Sequence, residues 1–413
     1  MGVYGLLGKT LGHSFSPQLH AYLADYEYRL FEKTEAELPD FLRSGDFAGL
    51  NVTIPYKQTV IPYCAELSPL AKKIGSVNTL LHRSDGSLFG DNTDAAGFQS
   101  MLDGLGVSVK GKKALVLGSG GAAKTVCAVL HEQGARRVVT ISRKGEDNYG
   151  NLDRHADALL IVNATPVGMY PETEAAPVDL RLFPQSEAVL DLIYNPARTK
   201  LLLQAEALGI PCAGGLVMLT EQARRAAELF TGAPIPAARA QRALRALAFE
   251  TENIALIGMP GCGKSKVGAA LAAKLGRRFV DMDEEIVARA GKSIPDIFRF
   301  EGEAGFRARE TAVLRDVSKE SGLILATGGG VVTREENRPL LRRNSRVVWL
   351  DRDISGLSKE GRPLSQSRPI EEIAAERLPL YEAWADEKIE MAATPEETAE
   401  KLLRALRSGE EDA

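Results

Sequence analysis

The sequence has few cysteines and histidines and no long apolar run. Its five histidines are scattered, and its four cysteines stand far apart without a C-x-x-C pair. This spacing argues against a metal cluster, a zinc site or a disulfide scaffold, and suits reduced thiols in the cytoplasm. No apolar run approaches the ~20 residues that span a bilayer, and residues 1–17 lack a signal-peptide pattern. The net charge of −4 gives no support to nucleic-acid binding. We therefore expect neither a membrane nor a nucleic acid as partner.

What the sequence does have is a repeated alternation of apolar strands and amphipathic helices. Its 413 residues suffice for two to four domains. Helices are predicted at 16–27, 94–106, 122–134 and 234–252, and a hairpin with an Asp-Gly turn at 82–90. The alternation predicts an α/β fold with largely parallel sheets. Strands are expected at 2–8, 49–54, 113–118, 137–142, 158–164 and 188–194 and, in a second series, at 253–258, 277–283, 322–330 and 346–352.

A glycine-rich turn, GSGGAA at 118–123, follows one predicted strand and opens a helix. Glycines there let a pyrophosphate approach the free N–H groups of the helix N-terminus. The next strand ends in Ser142-Arg143-Lys144, where an NAD site usually carries an acidic residue; an arginine can instead pair with the 2′-phosphate of NADP. An ordinary turn and, for Lys144, a solvated loop remain the alternatives. The predicted NADP(H) contacts are Gly118, Gly120, Gly121, Ala122, Ser142, Arg143 and Lys144.

A second phosphate-binding pattern, GMPGCGKS at 258–265, matches the P-loop signature G-x-x-x-x-G-K-S. It lies between an apolar strand and a helix, the context that this motif requires, so a chance glycine turn is the weaker alternative. Backbone N–H groups of the loop would hold ATP phosphates, Lys264 would reach the β- and γ-phosphates, and Ser265 would ligate Mg²⁺. The predicted ATP contacts are Gly261, Cys262, Gly263, Lys264 and Ser265.

Short polar motifs precede the first glycine turn, at 12–20, 51–57, 75–80 and 90–97. Taken singly, Ser14 and Ser16 can be helix caps, Lys57 a solvated lysine and Asp94 an N-cap. Their order resembles shikimate dehydrogenase over residues 1–250. The resemblance includes S-x-S-P, N-V-T-x-P-x-K, V-N-T and N-T-D, followed by NATPVGM (163–169), DLIYNP (191–196) and GGLVMLTEQA (214–223).

The resemblance implies reduction of 3-dehydroshikimate to shikimate by NADPH. Lys57 and Asp94 would be the catalytic pair, because hydride arrival puts negative charge on the carbonyl oxygen and a proton donor must lie within hydrogen-bond range. The implied substrate contacts are Ser14, Ser16, Thr53, Asn78, Tyr194 and Gln222. One departure is clear: residues 145–162 are too short and polar for the further helix and strand usual in the family. The NADP-binding part is therefore expected to be trimmed.

Motifs around and beyond the P-loop resemble shikimate kinase over residues 253–400. They are DMDEEI, FRFEGEAGFRARE (298–310), GGG (328–330), GRPL (361–364) and ERLPLY (376–381). The resemblance implies transfer of the ATP γ-phosphoryl group to the 3-hydroxyl of shikimate. Asp281 would help hold Mg²⁺, and Asp283 would bind the acceptor hydroxyl and take its proton. Arg307 and Arg377 would clamp the shikimate carboxylate, Gly329 and Gly330 would approach the ring, and a lid arginine, Arg362, would stabilise the transferring group.

The sequence therefore predicts a bifunctional cytoplasmic enzyme of aromatic biosynthesis that uses NADP(H), ATP and Mg²⁺. Residues 1–95 and the returning helices 216–250 would form the substrate domain, 96–215 the NADP domain and 251–413 the kinase. Two alternatives stay open: an NAD-dependent quinate-type dehydrogenase joined to another small-molecule kinase, or a nucleotide-binding regulator. The kinase lid departs from the family, because Ser355 stands seven residues before Arg362, where a basic residue is frequent.

Overall fold

Apolar strands of the described chain assemble into three sheets, which belong to two separate units. The structure is a computed structural model that describes residues 2–12, 14–354, 357 and 369–411, with side chains up to residue 407. The first unit comprises Met1–Ala248 and the second Phe249–Ala413. Within the described residues, no helix has the length and apolar character needed to cross a membrane.

The first sheet of the first unit is mixed and has the strand order β2-β1-β3-β5-β6-β4. Its buried face packs with helices around a core that includes Leu7, Leu50 and Leu80. The strands are β1 (Tyr4–Gly8), β2 (Tyr28–Glu32), β3 (Gly49–Val52), β4 (Glu66–Leu67), β5 (Thr79–His82) and β6 (Leu88–Asp91). The helices are α1 (Ser16–Leu23), α2 (Leu38–Ser44) and α3 (Pro69–Ile74).

The second sheet of this unit is parallel, with the order β11-β10-β9-β7-β8 and a buried apolar cluster on each face. Its strands are β7 (Lys113–Leu117), β8 (Arg137–Ile141), β9 (Leu160–Asn163), β10 (Ala188–Asp191) and β11 (Cys212–Ala213). Its helices are α4 (Asp94–Leu105), α5 (Gly121–Glu132) and α6 (Lys200–Ala207). Two further helices, α7 (Leu216–Thr231) and α8 (Ala237–Thr251), return to α1. The Tyr4 hydroxyl donates to the Phe230 carbonyl at 2.8 Å, so α7 is tied to β1.

The second unit is a parallel sheet with the order β13-β14-β12-β15-β16, covered by helices. Residues 254–257 of its central strand are buried. The strands are β12 (Asn253–Ile257), β13 (Phe279–Asp281), β14 (Ile324–Ala326), β15 (Ser345–Asp351) and β16 (Glu387–Glu390). The helices are α9 (Lys264–Leu275), α10 (Met282–Ala290), α11 (Ile294–Val317), α12 (Asn337–Arg342), α13 (Ile370–Trp384) and α14 (Pro395–Glu411).

The α/β prediction is confirmed, with differences in individual elements. The Asp-Gly hairpin predicted at 82–90 is the antiparallel pair β5–β6. The helix predicted at 16–27 ends at Leu23, because Ala24 is extended at φ −156° and ψ 162°. The chain then forms β2, an edge strand that pairs in parallel with β1 and was not predicted. Between β8 and β9 the structure has one 3₁₀ turn, Leu152–His155, in place of a further helix and strand, as the shortness of residues 145–162 predicted.

Candidate active sites

The first candidate site contains a close lysine–aspartate pair. Lys57 lies in the turn after β3, and Asp94 is the first residue of α4. The Lys57 Nζ lies 2.5 Å from the Asp94 Oδ2, and the two side chains are only 17% and 6% exposed. A carboxylate at this distance holds the ammonium group in place, and the ammonium can donate a proton to a substrate oxygen.

Asn78 connects this pair to the returning helix α7. Its Nδ2 donates to the Asp94 Oδ1 at 2.9 Å and to the Gln222 Oε1 at 3.2 Å. Its Oδ1 accepts the Thr93 backbone N–H at 2.7 Å. All of these side chains are buried. The structure thus brings four of the predicted site residues together. They are Lys57 after β3, Asn78 just before β5, Asp94 at the start of α4 and Gln222 on α7.

The other predicted substrate contacts lie around the start of α1. The Ser14 hydroxyl donates to the Ser16 Oγ at 3.1 Å. The Tyr194 ring lies 5.4 Å from the Phe15 ring, and burial raises the pKa of the Tyr194 phenol, although a hydrogen bond with Ser14 opposes that rise. Thr53 follows β3, and its backbone N–H donates to the Leu7 carbonyl at 2.9 Å. Ser14, Ser16 and Tyr194 form one group, and Thr53 lies on the loop that carries Lys57.

Sequence reasoning missed a buried polar chain behind these residues. The Tyr28 hydroxyl donates to the Asn51 Oδ1 at 2.8 Å, and a hydrogen bond with Ser16 opposes the rise that burial gives to the pKa of Tyr28. The Asn51 Nδ2 lies 3.4 Å from the Thr79 Oγ1, which donates to the Asn78 Oδ1 at 3.1 Å. Asn51 and Thr79 stand inside the quoted motifs, but only the folded sheet, in which β1 lies between β2 and β3, brings them close to Tyr28. The chain links the two groups of predicted contacts.

The first glycine turn lies at the carboxyl end of β7, next to the Lys57–Asp94 pair. Gly118 has φ 114°, a conformation that favours glycine, and Gly120 is the N-cap of α5. Gly121 and Ala122 open the helix, whose free N–H groups and dipole favour an anion. A Cβ on Gly121 would lie 3.3 Å from the Lys57 Cβ. A dinucleotide diphosphate bound here would therefore lie near Lys57.

Ser142, Arg143 and Lys144 follow β8, the strand that pairs with β7 in parallel register. The Gly118 N–H donates to the Ile141 carbonyl at 2.8 Å, so the basic residues and the glycine turn share one sheet edge. Arg143 and Lys144 are exposed. Two exposed cations beside an anion-binding helix N-terminus fit the additional phosphate of NADP(H).

In the second unit, the P-loop joins β12 to α9. The Lys264 Nζ donates to the carbonyls of Gly258 at 2.9 Å and Met259 at 3.0 Å, and lies 3.8 Å from the Cys262 Sγ. Lys264 and Cys262 are both buried. Gly261 and Gly263 have φ of 84° and 108°, which glycine adopts without strain. Lys264 must exchange the loop carbonyls for phosphate oxygens when a nucleotide binds.

Ser265 and two aspartates lie together beyond the P-loop. The Ser265 hydroxyl donates to the Asp281 Oδ2 at 2.5 Å. The Asp281 Oδ1 caps α10 by accepting the Asp283 N–H at 2.9 Å, which fixes the start of the helix that carries Asp283. Among the described residues, no group of three or more His, Cys, Asp or Glu side chains could hold a metal alone. A Mg²⁺ at Ser265 and Asp281 would need phosphate oxygens and water as further ligands, which is its usual preference.

The predicted carboxylate clamp is a buried cluster of charges. The Arg307 Nη1 donates to the Glu310 Oε2 at 2.7 Å, and both side chains are buried, as is Arg377. A Cβ on Gly330 would stand 2.2 Å from the Arg307 guanidinium, so a side chain at this position would displace the guanidinium. Burial raises the pKa of Glu310, against the opposing effect of Arg307. The cluster presents buried cations to a carboxylate ligand.

Two members of this region were missed by sequence reasoning. Glu310 follows Arg307 by three residues, so the two share a helix face. Tyr381 follows Arg377 by four, and its hydroxyl donates to the carbonyl of Gly329. These spacings, three residues from Arg307 to Glu310 and four from Arg377 to Tyr381, are the sequence signals that could have indicated the two residues. The predicted lid residue Arg362 lies outside the described residues.

Comparisons with known proteins agree with both sites. Residues 6–80 match the family model "Shikimate dehydrogenase substrate binding domain", and residues 260–407 match the model "Shikimate kinase". Over 253 residues the chain is 36% identical to a shikimate dehydrogenase (NADP(+)) of Clostridium perfringens strain SM101, covering 56% of this chain and 93% of the relative.

Solved structures resemble the first unit. Shikimate 5-dehydrogenase of Thermus thermophilus, in complex with NADP(H) and shikimate, is 34% identical with a TM-score of 0.55, covering 60% of this chain and 99% of that chain. Quinate dehydrogenase of Corynebacterium glutamicum, in complex with NAD, is 28% identical with a TM-score of 0.53, covering 59% and 98%. The two resemblances predicted from the sequence are thereby confirmed. The chain belongs to the shikimate dehydrogenase family, and it carries in addition a shikimate kinase domain at residues 260–407.

Proposed function

We propose that this chain catalyses two successive reactions, the NADPH-dependent reduction of 3-dehydroshikimate and the ATP-dependent phosphorylation of the resulting shikimate. The observation that carries the proposal is the presence of two complete sets of reactive groups in one chain. The first unit has the Lys57–Asp94 pair beside an anion-binding helix. The second unit has a P-loop, with Asp283 on the helix that Asp281 caps. Each set meets the chemical needs of one reaction.

In the reduction, Lys57 is the proton donor and Asp94 orients it. When bound, NADPH supplies the hydride that reaches the carbonyl carbon. The Lys57 ammonium hydrogen-bonds the carbonyl oxygen and gives it a proton as negative charge develops. Asp94, held by Asn78, keeps the ammonium in position. The proton and the hydride together convert the ketone into the 3-hydroxyl group.

Shikimate carries one carboxylate and three hydroxyl groups, which match the polar side chains around the pair. Ser14 and Ser16 bind the carboxylate through their hydroxyls, and Tyr194 covers them. Asn78, Thr53 and Gln222 bind ring hydroxyls. The buried hydrogen bonds of Asn78 fix its amide, so the site is arranged before the substrate enters.

In the phosphorylation, the second unit positions the 3-hydroxyl against ATP. ATP with Mg²⁺ supplies the γ-phosphoryl group when bound. Lys264 and the loop N–H groups hold the phosphates, and Ser265 and Asp281 hold the Mg²⁺. Asp283 accepts the hydroxyl proton, and Arg307 and Arg377 bind the carboxylate. The resemblance to shikimate kinase assigns to Arg362, which lies outside the described residues, the stabilisation of the transferring group.

The cofactor of the first unit is NADP(H) under this proposal. Exposed Arg143 and Lys144 at the end of β8 support it, since a 2′-phosphate needs cations there. The structural likeness to a quinate dehydrogenase bound to NAD supports a second candidate, NAD-dependent oxidation of quinate by the same site. A cytoplasmic location belongs to the proposal, because all four cysteines are free thiols.

The two reactions are tested separately on the purified chain. NADPH oxidation is followed with 3-dehydroshikimate, and ADP formation with shikimate and Mg²⁺-ATP. We expect both activities, with NADPH preferred to NADH. Activity with quinate and NAD exceeding that with shikimate and NADP would select the second candidate. Absence of both activities from folded protein would leave the nucleotide-binding regulator as the better account.

A further inference from the structure

Ser76 carries a buried hydroxyl that neither the sequence analysis nor the proposed mechanism uses. The residue is 0% exposed and lies between α3 and β5. Among the residues that the structure describes, no group makes a hydrogen bond with the Ser76 Oγ. A buried hydroxyl without a partner costs free energy, so a retained serine at this position calls for a ligand.

The backbone around Ser76 is held on both sides. The Val77 N–H donates to the Lys57 carbonyl at 2.7 Å, which ties the segment to the catalytic loop. The Asn92 Nδ2 donates to the Ser76 carbonyl at 2.9 Å and to the Thr125 Oγ1 on α5 at 3.2 Å. These contacts fix the Ser76 Cα relative to both Lys57 and α5.

The Ser76 hydroxyl faces the start of α5. A Cβ on Gly121 would lie 2.9 Å from the Ser76 Oγ and 3.3 Å from the Lys57 Cβ. Gly121 is the first residue of this twelve-residue helix, whose N-terminus favours an anion. The hydroxyl therefore stands between the anion-binding helix end and the catalytic lysine.

We propose that Ser76 is a binding residue for the dinucleotide, donating its O–H to an oxygen of the diphosphate–ribose segment. The inference rests on the proposed NADP(H)-dependent function. The diphosphate lies at the N-terminus of α5, and the nicotinamide must lie beside the carbonyl that Lys57 protonates. The connecting segment must therefore run past the place where Gly121 packs against Ser76 and Lys57, and the Ser76 hydroxyl is the buried donor there.

Ser76→Ala in the full-length chain tests the inference. NADPH affinity is measured by nicotinamide fluorescence. The affinity for 2′,5′-ADP, which keeps the adenosine-side phosphate but lacks the second phosphate and the nicotinamide riboside, is measured by calorimetry. We expect NADPH binding to weaken about 10-fold, because a hydrogen bond to a charged group is lost, and 2′,5′-ADP binding to stay unchanged. Ser76→Cys keeps the volume with a weak donor and should give an intermediate affinity.

Two controls separate a local effect from general damage. The kinase activity of Ser76→Ala with added shikimate, measured on the same preparation, should equal that of the wild type and so exclude general damage to the protein. The midpoint of unfolding should not fall, since the hydroxyl has no protein partner to lose among the described residues. The KM for NADPH should rise more than the KM for the ketone substrate.

Equal NADPH affinity of wild type and Ser76→Ala would overturn the inference, and so would equal weakening of NADPH and 2′,5′-ADP. These outcomes differ from a failure of the proposed function. A wild-type chain that binds neither ligand would contradict NADP(H) use itself, and the inference would fall with it.

Discussion

Lys57→Met removes the proposed proton donor while keeping an unbranched side chain of similar length. The ammonium lies 2.5 Å from Asp94, and Asp94 also accepts the Asn78 amide at 2.9 Å, a contact that the substitution does not remove. General acid catalysis contributes roughly 10²–10⁴-fold, so the turnover rate of the ketone reduction should fall by that factor. Breaking a fully buried pair costs about 3–5 kcal/mol; because Lys57 is 17% exposed and Asn78 remains, about 1–3 kcal/mol is expected here.

The double variant Lys57→Met, Asp94→Asn distinguishes the two roles assigned to the pair. If Asp94 acts only through Lys57, its removal costs no further activity, because the pair works as a unit. Stability should partly return, since the unpaired carboxylate is gone. Rates are measured by NADPH oxidation, stability by urea unfolding, and the kinase reaction is the internal control for protein quality.

The reasoning is refuted if the turnover rate of Lys57→Met falls by less than about 10-fold, since that is less than general acid catalysis provides. A further large loss in the double variant would show that Asp94 acts on its own, for instance directly on the substrate.

Three further changes probe other parts of the account. Arg143→Asp should lower the preference for NADPH over NADH, measured as the ratio of kcat/KM values, and an unchanged ratio would contradict the role of Arg143. Asp283→Asn should reduce phosphorylation about 10²–10⁴-fold while NADPH oxidation continues, and undiminished ADP formation would exclude Asp283 as the base. Burial raises the pKa of Asp191 from 3.8 to about 6. The folded state then binds more protons than the unfolded state between about pH 4 and 6, so stability falls as pH rises through this window. The stability of wild type relative to Asp191→Asn should therefore fall by up to about 3 kcal/mol from pH 4 to 7 in urea unfolding, and a pH-independent difference would contradict this.

Elements with strong local signals were predictable from sequence. The Asp-Gly turn indicated the β5–β6 hairpin, and the two glycine turns indicated the β7–α5 and β12–α9 junctions. The shortness of residues 145–162 predicted that a further helix and strand would be missing there, and the structure has one 3₁₀ turn, Leu152–His155, at that place. In each case a few residues determine the local backbone, so no distant contact is needed.

Features that depend on distant contacts were not predictable. β2 has no clear alternation of burial, and it forms because β1 offers a parallel edge to pair with. The polar chain through Tyr28, Asn51 and Thr79 requires three strands in register. The hydrogen bond from Tyr381 to the Gly329 carbonyl joins residues far apart in sequence. The roles of the predicted site residues, including Arg362, stay predictions.

The most direct test of the central claim uses NADPH deuterated at both C4 positions. Purified chain receives this cofactor with 3-dehydroshikimate and Mg²⁺-ATP, and the products are analysed by mass spectrometry. If one chain carries out both reactions in sequence, shikimate 3-phosphate should accumulate with a single deuterium on the carbon that was the ketone. Deuterated shikimate that is never phosphorylated, or no deuterium in any product, would contradict the account.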